Sequence, residues 1–315
     1  MSDSALDRRR GGGGRATLSR RSLFALTAAF AVSGCGDDPP TVRLGAARVG
    51  GLFYEIAELL AAAAAEAGTV RIEPVATAGS QMNLDRLARG EIDIALSLAD
   101  TAHARATDAL AIGRLYEAYL YLAVRPDSPI QRVEDLRGLR VDLGVAGSGA
   151  TLTAERMLRT AGLDPAFDMT ISNRQLSDAA PKLYAGEVDA ILWGGGVPTP
   201  GADIPARMRL IGTGDLAAAM TERYGYAYDR MIIPENAYPG SPAVGTVGVP
   251  NLLLASPRLA YSAVSAVTEL LLRYADRVVP EQALGIHFLD RRWLAGTGNI
   301  PMHPAAMETL RDWHG

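Results

Sequence analysis

A single cysteine, Cys35, stands among 315 residues. One thiol cannot close an intramolecular disulfide, form a CxxC redox pair or build a thiolate metal cluster. Histidine is scarce too: His103, His287, His303 and His314 lie far apart, with no HExxH or HxH spacing, so a zinc site lacks its ligands. There is no GxSxG elbow, because the glycines flanking Ser148, Gly147 and Gly149, have the wrong spacing. The glycine loop from Gly45 to Gly51 continues into Leu52 where a nucleotide P-loop carries lysine. These absences remove the equipment of a metalloenzyme, a thiol redox protein and a serine hydrolase, and they move the weight toward binding. No cofactor and no metal are expected.

Basic charge is short as well once the N-terminal stretch is set apart. Arg8 to Arg10, Arg15, Arg20 and Arg21 make a basic segment, and Leu23 to Val32 an apolar one too short to span a bilayer comfortably. Val32-Ser33-Gly34 then places small residues before Cys35. This pattern predicts an export signal over residues 1–35. Val32-Ser33-Gly34-Cys35 resembles a bacterial lipobox, in which the cysteine becomes the lipidated N-terminus, and Ser19-Arg20-Arg21-Ser22-Leu23-Phe24 resembles a twin-arginine signal. The expectation is a protein held outside the cytoplasm on a lipid anchor, exported by the twin-arginine or the general route. Of 31 basic and 35 acidic residues, the first 34 positions hold six Arg and two Asp, which leaves 25 against 33 and a net charge near −8. An acidic body argues against nucleic acid as a partner, although a cleft in it can still be locally positive.

What is present is an α/β pattern with an internal echo. Ala78 to Asp100 reads as a glycine turn, a helix with Ser80 as N-cap and Gly90 as its stop, and a strand in which Ile92, Ile94, Leu96 and Leu98 alternate with Asp93 and Ala95. Gly90-Glu91-Ile92-Asp93 returns 96 residues later as Gly186-Glu187-Val188-Asp189, with matching apolar positions on both sides. The echo predicts two comparable lobes, and equivalent places for Asp93 and Asp189 suggest a structural role at the strand entrance rather than an acid/base pair. Gly147-Ser148-Gly149 opens a second helix, so both lobes offer a helix start where backbone donors can hold a small anion.

Further strands are expected at Thr41 to Ala47, Val70 to Thr77, Leu110 to Tyr116, Tyr119 to Val124, Leu139 to Gly144, Met169 to Asn173, Arg209 to Gly212, Tyr228 to Ile233 and Thr246 to Ala255. Helices are expected from about Leu52 to Ala67, from Pro257 to Val278 and, started by Pro301-Met302-His303-Pro304, to the C-terminus, and Gly194 to Pro200 as a loop.

Several motifs recur in a fixed order: Gly45 with Gly50-Gly51 and Phe53-Tyr54, Thr77-Ala78-Gly79-Ser80 with Asn83, Gly90-Glu91-Ile92-Asp93, Gly147-Ser148-Gly149, Ile233-Pro234, Tyr238-Pro239-Gly240, Thr246-Val247-Gly248-Val249-Pro250 and Met302-His303-Pro304. This set resembles the TAXI-type solute receptors of TRAP transporters over residues 41–315. The resemblance implies an α/β, two-lobed type II periplasmic-binding-protein fold with a strand hinge, with lobe 1 from residues 41–122 and 234–315 and lobe 2 from residues 123–233. It implies a receptor that closes on a small carboxylate or amino acid such as glutamate and passes it to TRAP permease subunits, and a monomer is expected. Carried over by position, the ligand-binding residues are Gly51, Tyr54, Gly79, Ser80 and Asn83 in lobe 1 and Gly147, Ser148, Gly149, Thr151, Trp193 and Gly195 in lobe 2. The sequence departs from the family at Ala46, Ala47 and Arg48, where a glycine-threonine series is usual, and at Leu98, where a polar residue is usual. Arg48 either pairs with a ligand carboxylate or points to solvent from the rim. Two other functions stay open on the same fold: an enzyme with a glycine-rich cleft, and a sensor that shows its closed form to a signalling partner.

Overall fold

The computed structural model describes residues 38–105, 107–225, 228–280 and 292–314. The export segment, Cys35 and His287 lie outside the described residues. In chain order the elements are β1 (Thr41–Gly45), α1 (Leu52–Ala67), β2 (Arg71–Val75), α2 (Ser80–Ala88), β3 (Ile94–Leu98), α3 (Ala99–Ala104), β4 (Leu110–Val124), β5 (Arg140–Asp142) and α4 (Gly149–Thr160). There follow β6 (Thr170–Ser172), α5 (Leu176–Tyr184), β7 (Ala190–Gly195), β8 (Arg209–Leu210), α6 (Ala217–Tyr224), β9 (Asp229–Ile233), β10 (Val244–Ala255), α7 (Tyr261–Arg273) and α8 (Pro304–His314).

The strands form one sheet in the order β2-β1-β3-β10-β4-β7-β5-β6, with β8 added to β4 and β9 to β10. Each half is built the same way. Three parallel strands, β2-β1-β3 in one half and β7-β5-β6 in the other, are bordered by a long antiparallel strand, β10 beside β3 and β4 beside β7. The two long strands pair with each other from Val247–Leu120 to Ala255–Leu110 and join the halves. Alternation along β4 explains its burial on both faces: Leu120, Leu122 and Val124 enter one apolar cluster, while Tyr119, Tyr121 and Ala123 enter another.

Two strands were expected where β4 is one. Glu117 and Ala118, between the expected segments, stay extended because they pair with Pro250 and Val249 of β10. The expected boundary after residue 122 therefore falls inside β4, and the one after residue 233 falls at the end of β9. The expected helix from Pro257 to Val278 is shorter, Tyr261–Arg273. Helices α3 and α6 were not expected; α3 begins directly at the end of β3, leaving no turn residues to announce it.

The sequence echo has a physical cause. Asp93 accepts hydrogen bonds from the Arg43 backbone N–H (2.8 Å), Nε (2.9 Å) and Nη2 (2.9 Å), and the same Nη2 donates to the Gly90 carbonyl at 2.9 Å. Asp189 accepts from the Arg140 backbone N–H (3.0 Å), Nε (3.0 Å) and Nη2 (2.7 Å), and Arg140 Nη2 donates to the Gly186 carbonyl at 2.8 Å. Each aspartate thus fastens the turn before its own strand to the neighbouring parallel strand through a bidentate guanidinium. The role is structural.

Hydrogen bonding to Arg43 and Arg140 holds the Asp93 and Asp189 carboxyls below the usual carboxylate range. The stabilisation each gives is present above the unfolded value and lost as pH falls through the lower folded value. The advantage of the wild type over Asp93→Asn in urea unfolding should hold at neutral pH and fade below about pH 4. Glu117 behaves in the opposite sense: burial, only partly offset by Arg114, pushes its carboxyl up to about 7. Its favourable contribution is full below about pH 4.3 and is lost as pH rises through the folded value, so Glu117→Gln should flatten that decline. Urea midpoints measured from pH 3 to 8 check both signs.

Candidate functional site

A cavity of about 420 Å³ lies at the junction of the two halves. Nearly every segment lining it leaves the C-terminal end of a parallel strand: Ala47 to Phe53 after β1, Ala78 to Ser80 after β2, Leu98 at the end of β3, Gly144 to Ala150 after β5, Arg174 to Ser177 after β6 and Trp193 to Pro200 at the end of β7. Open α/β sheets present ligand crevices at this edge, because the chain turns there and helix starts point into it. Tyr116 and Ala118 of β4 supply the remaining wall.

The starts of α2 and α4 meet across the cavity. Gly79 has φ +117°, and a Cβ on it would lie 3.4 Å from the Ser148 Cα. A Cβ on Gly149 would come within 2.5 Å of Ser80 Oγ and 2.9 Å of Leu98, so glycine is required for this approach. Gln81 Nε2 donates to the Ser148 carbonyl at 3.0 Å. Ser148 is the N-cap of α4, its Oγ accepting from the Thr151 N–H at 3.2 Å. Ser80, expected as N-cap of α2, is its first helical residue: Gly79 takes the cap position, and Ser80 Oγ accepts from the Leu98 N–H at 3.0 Å. The hydroxyl proton of Ser80 and the first-turn N–H groups at Ser80, Gly149 and Ala150 are donors at the cavity wall, while the Thr151 N–H is taken by the cap.

Behind the helix starts, the halves share a buried polar cluster. Asp100 of α3 accepts from Thr153 Oγ1 at 2.7 Å and from the Tyr228 hydroxyl at 3.1 Å. Arg156 Nη1 donates to the Tyr228 hydroxyl at 2.7 Å and to the Asp100 carbonyl at 3.3 Å. Full burial pushes the Asp100 carboxyl up despite these partners.

The far wall is aromatic. Trp193 stacks on Tyr121 with centroids 4.6 Å apart and planes 4° from parallel, and Tyr238 meets Tyr121 edge-on at 6.5 Å. The Tyr121 hydroxyl donates to the Gly196 carbonyl at 2.7 Å, and the Tyr238 hydroxyl accepts from the Thr199 N–H at 2.8 Å. These bonds anchor the segment Gly194 to Pro200, which was expected as a free loop but begins with two residues of β7.

Of the candidate ligand residues, Arg48, a departure from the family pattern, and the carried-over Gly51, Gly79, Ser80, Ser148, Gly149, Trp193 and Gly195 line the cavity. Four do not. Asn83 is fully buried beneath it, donating to the carbonyls of Gly45 (3.0 Å), Ala46 and Leu96 (2.7 Å) and accepting from Thr77 Oγ1 (2.6 Å). Thr151 is buried, its hydroxyl donating to the Leu143 and Val145 carbonyls. Tyr54 packs on the core while its neighbour Phe53 takes the cavity position, a rotation of about 100° along α1. Gly147 has φ +78° and forms the turn before Ser148.

Sequence reasoning did not find Tyr116, Arg174, Gln175, Leu176 and Thr199. The usable signal for Arg174 and Gln175 was their place between β6 and α5, the same strand-to-helix step that carries Ser80 and Ser148. Gln175 Oε1 is buried and has no partner among the described residues. The Arg48 carbonyl accepts from the Gly51 N–H at 3.0 Å, while its side chain is exposed at the rim with no hydrogen bond or ion pair among the described residues. Arg174 Nη1 contacts Asp142 at 2.9 Å.

The sheet order, the long strands shared by both halves and the cavity between them define a two-lobed α/β protein of the type II periplasmic-binding-protein fold, with a strand hinge. The chain belongs to the NMT1-like family, matching it over residues 44–312. Among solved structures it is similar to the periplasmic aliphatic sulphonate binding protein SsuA from Escherichia coli, with 19% identity, 87% of this chain and 83% of that chain covered, and a TM-score of 0.49. It is also similar to an ancestral arginine-binding protein bound to arginine, with 18% identity, coverage of 79% and 100%, and a TM-score of 0.47. A third is the substrate binding protein of an amino acid ABC transporter, with 16% identity, coverage of 76% and 95%, and a TM-score of 0.44. The family description and these three names make no mention of TAXI receptors or TRAP transporters, the finer assignment that the sequence motifs implied. No helix among the described residues is long and apolar enough to cross a membrane.

Asn83 is a strut under the cavity floor, so Asn83→Ala should cost on the order of 1–3 kcal/mol of stability through its abandoned buried carbonyls. Urea unfolding measures the loss, and calorimetric titration of the variant, at a temperature where it remains folded, should return nearly wild-type ligand affinity.

Proposed function

We propose that this protein is an extracytoplasmic receptor that captures a small organic anion between its lobes and delivers it to a membrane permease, without chemical change to the ligand. The observation that carries this reading is the charge of the cavity: the charged side chains among its described lining residues are Arg48 and Arg174, and the starts of α2 and α4 face the same space. Cations and oriented backbone donors at a largely apolar site suit one anionic group. The ligand-binding residues are Arg48, Gly51, Gly79, Ser80, Ser148, Gly149, Trp193 and Gly195, with Asn83, Gly147 and Thr151 holding their backbone. A ligand that touches both lobes favours the closed arrangement in proportion to its differential affinity.

Lipidation of Cys35 tethers the protein to the membrane surface. One acyl chain binds a bilayer only marginally, while the several chains of a bacterial lipoprotein hold firmly. Cys35→Ser should release the protein into the soluble extracytoplasmic fraction; unchanged membrane retention would contradict the anchor. The motif resemblance supports a TRAP permease as the recipient, whereas the transporters named among the similar structures are of the ABC type. Uptake into vesicles carrying one permease or the other separates the two.

Native mass spectrometry of the protein from producing cells is the direct test of capture. The expected result is a non-covalent organic anion, released unchanged and rebound in equilibrium dialysis, with affinity at least about tenfold weaker for Arg48→Ala, since a hydrogen bond to a charged group is worth about 1.5–3 kcal/mol. Recovery of a chemically altered product would favour the enzyme reading, and a bound cation would contradict the anion receptor.

A further inference from the structure

We infer that the cavity selects an amine-free organic monoanion with an apolar body and discriminates against α-amino acids. This deepens the anion-receptor reading and rests on it. The argument begins with the charges that a bound ligand would meet. The described lining residues include no Asp or Glu. Asp142, the carboxylate paired with the lining residue Arg174, is 1% exposed and already engaged on both oxygens. Its Oδ2 accepts from Ser172 Oγ (2.7 Å) and Arg174 Nη1 (2.9 Å), and its Oδ1 from the backbone N–H groups of Gly144 (3.1 Å) and Arg174 (3.1 Å). That carboxylate cannot turn to a ligand, and it compensates Arg174. Arg48 is left as the one uncompensated charge, matched by one carboxylate or sulfonate.

An α-ammonium group would enter this space without a counter-charge, beside an arginine. Carbonyl oxygens are poor substitutes here: Gly196 O, next to the aromatic wall, is occupied by the Tyr121 hydroxyl (2.7 Å) and Thr199 Oγ1 (2.8 Å). Gln175 Oε1 is a neutral buried acceptor without a partner, which suits a hydroxyl of the ligand and does not neutralise an ammonium. The body of the ligand meets Phe53, Leu98, Tyr116, Val145, Leu176 and Trp193. Leu98 stands on the wall at the end of β3, so a second anionic or zwitterionic group finds carbon there.

The test uses isosteric pairs. 3-Phenyllactate and 2-hydroxy-4-methylpentanoate are titrated calorimetrically into the ligand-stripped protein against phenylalanine and leucine, with glutarate as a dianion and 3-phenylpropylamine as a cation. The hydroxy acids should bind at least about tenfold more tightly than their amino-acid partners, because an unpaired buried charge costs more than one decade of affinity. They should also exceed glutarate. Gln175→Glu, which adds the missing carboxylate, should narrow or reverse the preference for hydroxy acid over amino acid. Amino acids binding as tightly as the hydroxy acids would overturn the inference and leave the anion receptor standing. Tighter binding of glutarate would overturn the monoanion assignment. Binding of the amine alone, or of none of these compounds, would overturn both.

Discussion

The pairing of β4 with β10 is the constraint on which the rest depends. Each strand is long enough to belong to both halves of the sheet, and their ladder runs from Val247–Leu120 to Ala255–Leu110. Because parallel strands on either side end at this joint, their turns and helix starts have no other place to converge. The cavity follows from that convergence. Any change in the angle between the halves must bend these two strands, and it must also make or break the cluster of Asp100, Thr153, Arg156 and Tyr228 that spans the halves. A buried carboxylate with few charges around it is expensive to leave without its hydrogen bonds, so this cluster favours one closed geometry over a continuum of them.

The repeat within the chain gives the cavity its electrostatic character. Arg43 with Asp93 and Arg140 with Asp189 set corresponding strands in the two halves by the same clamp. With the strands set alike, α2 and α4 begin at corresponding places and point their first-turn N–H groups toward the same space. Two helix starts facing each other across a cavity are favourable only with negative charge or water between them, and Arg48 adds to the same sign. The apolar wall of Leu98, Tyr116 and Trp193 then limits how much charge can be accommodated.

Much of this was legible in the sequence where local chemistry is self-contained. Helix α1 begins after the glycines at 50 and 51 and ends at Gly68, and its approximate range was readable from them. The echoed Gly-Glu-x-Asp was readable as structural, because two equivalent aspartates at strand entrances pointed to one job done twice. Illegible features depend on partners distant in the chain. Glu117 and Ala118 look like an interruption until Pro250 and Val249 pair with them. Asn83 looks like a ligand residue because it follows the cavity turn, yet its amide is consumed by carbonyls from β1 and β3. Phe53 and Tyr54 cannot be told apart without the roll of α1. Arg174 and Gln175 carry no motif of their own, and only the alignment of β6 with β5 brings them to the cavity.

We propose that the two halves close over one bound anion by bending at β4 and β10. Spin labels at Glu73→Cys, on the outer strand β2, and at Phe167→Cys, exposed beyond α4, report the separation of the halves in a Cys35→Ser background. Electron–electron double resonance should give a distance distribution that shortens and narrows when the compound released from the native protein is added to saturation. Identical distributions with and without the bound compound would contradict closure.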